Sequence, residues 1–439
     1  MAGVRPVTCC SSTTWRSSRD PRPGVTVARG RLVEAFGEVW GGEPTHLVRA
    51  PGRVNLIGEH IDYCGLPVLP MAFDRAVWIA FRALPTPRVR IATETPGLEP
   101  VEIAPLPPIP PGPTGDWANY ARAAIEAVEP YAGGEPAVRG LEALVVSDLP
   151  VAAGLSSSSA LVVAVALAWL RVRGVPVGPE TGPRLALADI LARGERYVGT
   201  AGGGMDQAAC LLGRSGHALR IEFGPLRATP IPIPRGWRFV VAHSGARAEK
   251  SGPAQATYNA RTREAAGAIA GVLDAVGGAT PADGAWTLGP PGSPDPAGAY
   301  PRVLEAVGAD AALAAAERAL DARHRARFRH IVTERERVAD AEEALRAGDL
   351  ARFGARLSES HASLRDDYEV STPALDALVD TALAAGAAGA RLTGAGLGGS
   401  IVALCDAERA DAVRAALISG GSDPVLLARA SDGARVESR

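Results

Sequence analysis

The chain reads as a mixed chain of strands and helices in two domains. Its 439 residues have the length of two ordinary domains or one large one. Apolar β-rich runs also alternate with segments of helical spacing along most of the chain. Twice, moreover, a strand runs into a glycine-bearing loop and on into a helix or a second strand, at residues 141–174 and 389–405.

The elements follow in order. Residues 1 to about 25 carry Arg5, Arg16 and Arg19 among several Ser and Thr, with no apolar run of a secretory signal, and are expected to form a flexible tail. Residues 31–39 have amphipathic helical spacing, and 46–49 read as a strand that leads into PGRVNLIGEHIDY. The apolar stretch 68–81 predicts a strand or two. Prolines from Pro105 to Pro113 dictate a loop, because their fixed φ and missing donors exclude helix and central strand. Helical spacing resumes after Trp117. Residues 141–147 alternate as a strand, and GLSSSSA then opens a helix that ends near Gly174. A helix over 185–198, the glycine-rich TAGGGMDQAACLLG and a strand pair around 218–223 complete a first domain expected to close near Pro234.

A strand at 239–243 opens the second domain and a helix over 258–272 follows. Residues 277–299, rich in Gly, Pro and Asp, suggest an exposed loop. Helices occupy 302–345, ARLTGAGLGGSIVALCD reads as strand, glycine loop and strand or helix start, and a last strand falls near 424–430. The expected division is a tail at 1–25, an N-terminal domain at 26–235 and a C-terminal domain at 236–439.

Composition excludes several function classes. Apolar residues make up 47% and charged residues 21%, the balance of a folded globular chain. Net charge is −2 from 46 basic and 48 acidic side chains, so no basic field exists to hold nucleic acid or an anionic membrane. The longest apolar run, around 160–170, is too short for a membrane span. Cys9, Cys10, Cys64, Cys210 and Cys405 are odd in number and scattered, without zinc spacing, which fits a reducing cytosol.

Four segments carry chemistry. GLSSSSA (154–160) places small residues and hydroxyls at a helix start, where backbone N–H groups and the helix dipole favour phosphate; its plain alternative is a set of N-caps for a buried helix. TGAGLGGS (393–400) packs four glycines behind Arg391, which permits close backbone approach or simply a turn. GGGMDQ (202–207) sets Asp206 beside a glycine loop, where a carboxylate can accept a hydroxyl proton during phosphoryl transfer or merely sit in a turn. RVNLIGEHIDY (53–63) gathers Arg53, Asn55, Glu59, His60 and Asp62, the density of donors and acceptors that a polyhydroxylated sugar needs once its hydroxyls leave water.

In this order and form the segments resemble those of the GHMP kinases, and within them the galactokinase family. WANY (117–120), YNAR (258–261) and HASLRDDYEVSTPALDAL add to the likeness, which spans roughly 48–405. The resemblance implies an α+β fold, with an N-terminal ribosomal-S5-like domain and a C-terminal ferredoxin-like domain around a cleft. It also implies transfer of the γ-phosphoryl group of ATP to the anomeric hydroxyl of galactose. Arg53, Glu59, His60, Asp62, Gly203, Asp206 and Tyr258 match sugar contacts, with Asp206 as catalytic base and Arg53 steadying charge beside it. Gly154, Leu155, Ser156, Ser157, Ser158 and Ser159 match the phosphate cradle, Trp117 an aromatic near adenine, and Ser158 and Glu195 the Mg²⁺ ligands. A cation beside Asp206 should lower its pKa, so that it orients the hydroxyl more than it deprotonates it.

HIDYC, the fourth serine of GLSSSSA and GGGMDQ resemble the branch that holds N-acetylgalactosamine kinase and the fungal galactokinases, whereas Tyr258 matches the galactokinase form. That branch also holds a sensor which binds galactose and ATP without turnover; the presence of Asp206, Arg53 and Ser158 favours an active kinase. The expected protein is a cytoplasmic monomer that meets a sugar and ATP, not nucleic acid or membrane.

Overall fold

The computed structural model describes residues 25–105, 107–132, 139–150, 153–199, 202–246, 253–276 and 296–439. Residues 1–24 of the expected tail and 277–295 of the expected loop therefore lie outside the described residues, whereas Val25 already belongs to a helix and 296–299, expected in the loop, open another. In chain order the elements are α1 (Val25–Trp40), β1 (His46–Ile57), β2 (Leu69–Leu84), β3 (Val89–Thr93), β4 (Val101–Ile103), α2 (Ala118–Val128), β5 (Gly140–Ser147), α3 (Ser157–Val172), α4 (Thr181–Gly194), α5 (Met205–Leu212), β6 (His217–Glu222) and β7 (Arg227–Pro232). There follow β8 (Trp237–His243), α6 (Pro253–Ala275), α7 (Pro296–Val307), α8 (Ala309–Ala319), α9 (Ala322–Ala347), α10 (Leu350–Asp366), α11 (Pro373–Ala384), β9 (Gly389–Thr393), β10 (Ser400–Asp406), α12 (Ala410–Ser419), β11 (Val425–Ala428) and β12 (Arg435–Ser438).

Two sheets organise the molecule. The first has strand order β12-β1-β2-β5-β3-β4, and within it only β3 and β5 pair in parallel. Side chains of β2 alternate between its faces: Val77, Ile79 and Phe81 join the main core under α3, whereas Ala76, Trp78 and Ala80 pack with Leu32 and Phe36 of α1. The second sheet, β11-β8-β10-β9, is antiparallel throughout. Helices α10, α11 and α12 pack on its strands.

Three departures from the expected elements have physical causes. β1 does not stop at Arg49 but runs to Ile57, because Pro51 and Gly52 fall at a bulge where no ladder bond is required. The stretch 302–345 is three helices, separated at Gly308, with φ of 78°, and at Asp321, whose carboxylate caps α9 by accepting from the His324 N–H. The chain end adds β12 to the edge of the first sheet, pairing Val436 with Val48, so residues from both chain termini share one sheet. No helix among the described residues is long and apolar enough to cross a membrane.

Candidate active site

The end of β1 and the start of α5 meet in a polar cleft. Beyond Ile57 the chain turns sharply, with Gly58 and His60 both in the left-handed region at φ of 99° and 62°. A non-glycine residue held there is strained and stays only where its surroundings fix it. The turn sends Glu59, His60 and Asp62 into the cleft beside Arg53. Opposite, residues 202–204 bring in the N-terminus of α5. Gly203 can only be glycine at this approach: a Cβ there would lie 2.3 Å from the backbone of Asp62 and Tyr63. Its N–H donates to Asp62 Oδ2 at 3.2 Å.

At the centre, Arg53 Nε donates to Asp206 Oδ1 at 2.8 Å, with the two residues 3% and 7% exposed. Arg53 Nη1 donates to the Gly154 carbonyl at 2.6 Å, and the Ser159 hydroxyl to Asp206 Oδ2 at 3.4 Å. One arginine thus ties the carboxylate to the serine loop. Ser156 N-caps α3 in the left-handed conformation, and its buried hydroxyl has no partner among the described residues.

The glycine segment 393–400 braces that loop from behind. A Cβ on Gly394 would lie 2.7 Å from the Gly154 carbonyl oxygen, which explains glycine where the two backbones touch. Ser400 Oγ donates to the Ala153 carbonyl at 2.8 Å.

His60 is fixed as one tautomer. Its Nε2 faces the Ala395 carbonyl at 3.1 Å and must carry the proton, so Nδ1 accepts from the Tyr63 hydroxyl at 3.0 Å. Tyr63, its proton thus engaged, accepts from the Tyr368 hydroxyl at 2.6 Å. Burial, with His330 nearby, depresses the His60 pKa to about 3, so the ring is neutral near pH 7. The Tyr258 ring stands 5.6 Å from it, centre to centre, as an aromatic wall.

The structure therefore brings Arg53, Glu59, His60, Asp62, Gly203, Asp206 and Tyr258 to one cleft. Other candidates lie apart from its lining. Ser157 and Ser158 are the first residues of α3 and are half-buried, Leu155 is buried, and Trp117 stands half-buried at the start of α2. Glu195 opens a short turn, Glu195–Val198, with its side chain outside the described atoms.

The sequence reading missed the scaffold behind the cleft. Buried Arg391 donates to Glu59 Oε2 at 2.9 Å, to which the Gly394 N–H also donates at 3.0 Å. Burial pushes the Glu59 carboxyl up from its usual range, while Arg391 and Arg53 pull it back down. From α9, Glu334 Oε1 accepts from the N–H groups of Gly58 and Glu59 at 2.9 and 3.3 Å. Burial alone would raise the Glu334 pKa, but Arg337 and His330 bring it to about 2. His330 Nε2 meets the Glu59 carbonyl at 3.1 Å, and burial lowers its pKa to about 4. Polar residues on α9 that sit out of phase with its exposed face were the one signal of this role.

Known proteins share this architecture. A galactokinase galactose-binding signature matches residues 34–83, the GHMP kinase N-terminal domain 119–214 and the GHMP kinase C-terminal domain 341–423. Over 396 residues the chain is 39% identical to a galactokinase of Chloroflexus aggregans, covering 89% of this chain and 91% of the relative. The chain belongs to the galactokinase family of the GHMP kinases. Its family likeness extends to the galactokinase of Homo sapiens, at 35% identity over 433 residues, covering 95% of this chain and 98% of that one. Among solved structures, Lactococcus lactis galactokinase complexed with galactose superposes with a TM-score of 0.78 at 28% identity, covering 93% of this chain and 99% of that one. A mevalonate kinase, with a TM-score of 0.59 at 18% identity over 87% of this chain and 98% of that one, shares the fold. As a member of this family the chain is a phosphotransferase that acts on a sugar hydroxyl.

Proposed function

We propose that the chain transfers the γ-phosphoryl group of ATP to the anomeric hydroxyl of α-D-galactose, giving galactose 1-phosphate and ADP. The observation that carries this reading is the buried Arg53–Asp206 pair at the centre of the cleft, with Arg53 also bonded to the serine loop. Phosphoryl transfer asks a protein mainly to position two reactants and to neutralise charge, and one residue that touches both halves of the site suits that task. Glu59, His60, Asp62, Gly203 and Tyr258 surround the sugar. With both ring nitrogens engaged, His60 meets it through its ring face and edge, not as an acid or base.

Asp206, held by Arg53, orients the acceptor hydroxyl and takes up its proton as the O–P bond forms. Arg53 stabilises negative charge on the transferring group. Residues 154–159 cradle the β- and γ-phosphates at the N-terminus of α3, where the Ser156 hydroxyl has no partner among the described residues and the helix start favours anions. Trp117 flanks the adenine.

A divalent ion belongs to this chemistry, and we assign Mg²⁺. No group of three His, Cys, Asp or Glu side chains among the described residues forms a metal cage. A hydroxyl-rich loop fits instead an ion that arrives with the nucleotide, since Mg²⁺ in kinases takes one or two protein oxygens and fills its shell with phosphate oxygens and water. Ser158 and Glu195 are the residues that would hold it, and the ion would neutralise charge on the phosphates. The protein works as a monomer in the cytosol.

The test is ADP release measured across galactose, N-acetylgalactosamine, galacturonate and arabinose. Galactose is expected to give the highest kcat/KM. Preference for N-acetylgalactosamine would transfer the assignment to that sugar and overturn galactose.

A further inference from the structure

Gln207 follows Asp206 in the first turn of α5 and lines the same cleft. Its side chain is fully buried, at 0% exposure, yet neither Oε1 nor Nε2 has a hydrogen-bond partner among the described residues. A primary amide offers two donors and one acceptor with two lone pairs. Buried polar groups are nearly always paired, because each unmet one costs free energy. The neighbours differ. Arg53 is bonded to Asp206 and Gly154, Glu59 to Arg391, and His60 to Ala395 and Tyr63.

We infer that the Gln207 amide is a sugar-binding group, which hydrogen-bonds a hydroxyl of the hexose near the one that receives the phosphoryl group. The inference rests on the sugar-kinase reading above. A sugar hydroxyl both donates and accepts, as the amide does, and Gln207 is the immediate neighbour of the residue that orients the acceptor. A site built to pair a hydroxyl discriminates against an analogue that lacks it, since the amide is then left buried and unmet. Asn55 carries an amide equally without partners among the described residues but does not line the cleft, and the proposal leaves it out.

The near-isosteric, apolar Gln207→Met variant tests this. It removes no hydrogen bond among the described residues, so the free protein keeps or gains thermal stability. Galactose then raises its Tm less than it raises that of the wild type, and KM for galactose increases about tenfold or more while KM for ATP stays within about twofold. Measured across the monodeoxy galactoses, the difference between variant and wild type vanishes for at least one, the sugar without the hydroxyl that Gln207 meets. A lower Tm of the free variant would mark the amide as structural and overturn the proposal. An unchanged galactose KM, or an equal penalty for every deoxy sugar, would do the same. Wild-type protein that releases no ADP with any sugar contradicts the kinase reading instead, so the two failures are distinguishable.

Discussion

At one end of the cleft, residues 58–62 are held by side chains that reach in from the C-terminal half: Glu334 and His330 from α9, and Arg391 from β9. Beyond the cleft lining, across Arg53, the serine loop is shaped by backbone against backbone, with Gly154 in contact with Gly394 and the Ala153 carbonyl held by Ser400. The first arrangement consumes charge and hydrogen-bonding capacity inside the protein and fixes a shape. The second leaves the Ser156 hydroxyl without a partner among the described residues, beside the N-terminus of α3. A sugar, neutral and distinguished by the directions of its hydroxyls, calls for the first; a phosphate chain, charged and met by many donors, calls for the second. Arg53 belongs to both, which makes it the place where the comparison breaks first.

The largest effect is expected for Arg53→Ala. Loss of a cation at the transferring group should cut kcat about 10²-fold or more, and leaving Asp206 buried without its partner should cost about 3–5 kcal/mol of stability. Steady-state kinetics beside urea unfolding check both; near-normal turnover would remove Arg53 from its role. Arg391→Met comes next and separates the two regions. It strands Glu59 in a buried site, with an expected loss of about 3 kcal/mol, and should raise KM for the sugar several-fold more than KM for ATP. A change confined to ATP would contradict the division drawn above.

Gly394→Ala should do the reverse. Its φ of 87° and the close Gly154 carbonyl make any Cβ strained, at about 1–3 kcal/mol, and KM for ATP should suffer more than KM for sugar. An effect on stability alone, with no change of residue, is a pH dependence. His60 and His330 have pKa values of about 3 and 4 in the folded protein against about 6.5 in an unfolded chain. The unfolded state therefore takes up protons first as pH falls below 6.5, and stability declines from there towards pH 4, by about 1 kcal/mol per pH unit for each ring. Glu334 adds loss of the same sign only below its ordinary range near pH 4.5. Urea unfolding at pH 7, 6 and 5 reads this, and a flat curve would show that neither ring is buried neutral.

Those residues also mark what was legible beforehand. Arg53, Glu59, His60 and Asp62 fall within one short segment whose polar density stands out against its apolar surroundings, and the glycine loops announce themselves by composition. Strands β3 and β4 and helices α5 and α10–α12 were not read, whereas strands β1, β2, β5, β6, β8, β9 and β11 and helices α1–α4, α6 and the 302–345 stretch followed from local patterning. The supports did not. His330 and Glu334 lie within HIVTERERVADAEE, whose density of charge reads as a solvated helix apart from the phase of these two residues, and only the packing of α9 against the end of β1 buries them. Arg391 sits where a strand predicts an apolar side chain, and the need for a buried cation arises only when Glu59 arrives from more than 300 residues earlier. β12 follows a stretch of Ser, Asp and Gly and finds its partner at the opposite end of the chain. Each depends on contacts distant in sequence, which local pattern does not encode.

The central claim is that the Arg53–Asp206 pair serves transfer to a sugar hydroxyl. It is tested most directly by measuring galactose-dependent ADP release and calorimetric galactose binding for wild-type protein and Asp206→Asn together. The account predicts that the variant folds and binds galactose within about tenfold of wild type, but turns over about 10³-fold more slowly or worse. Turnover within about tenfold of wild type would contradict it.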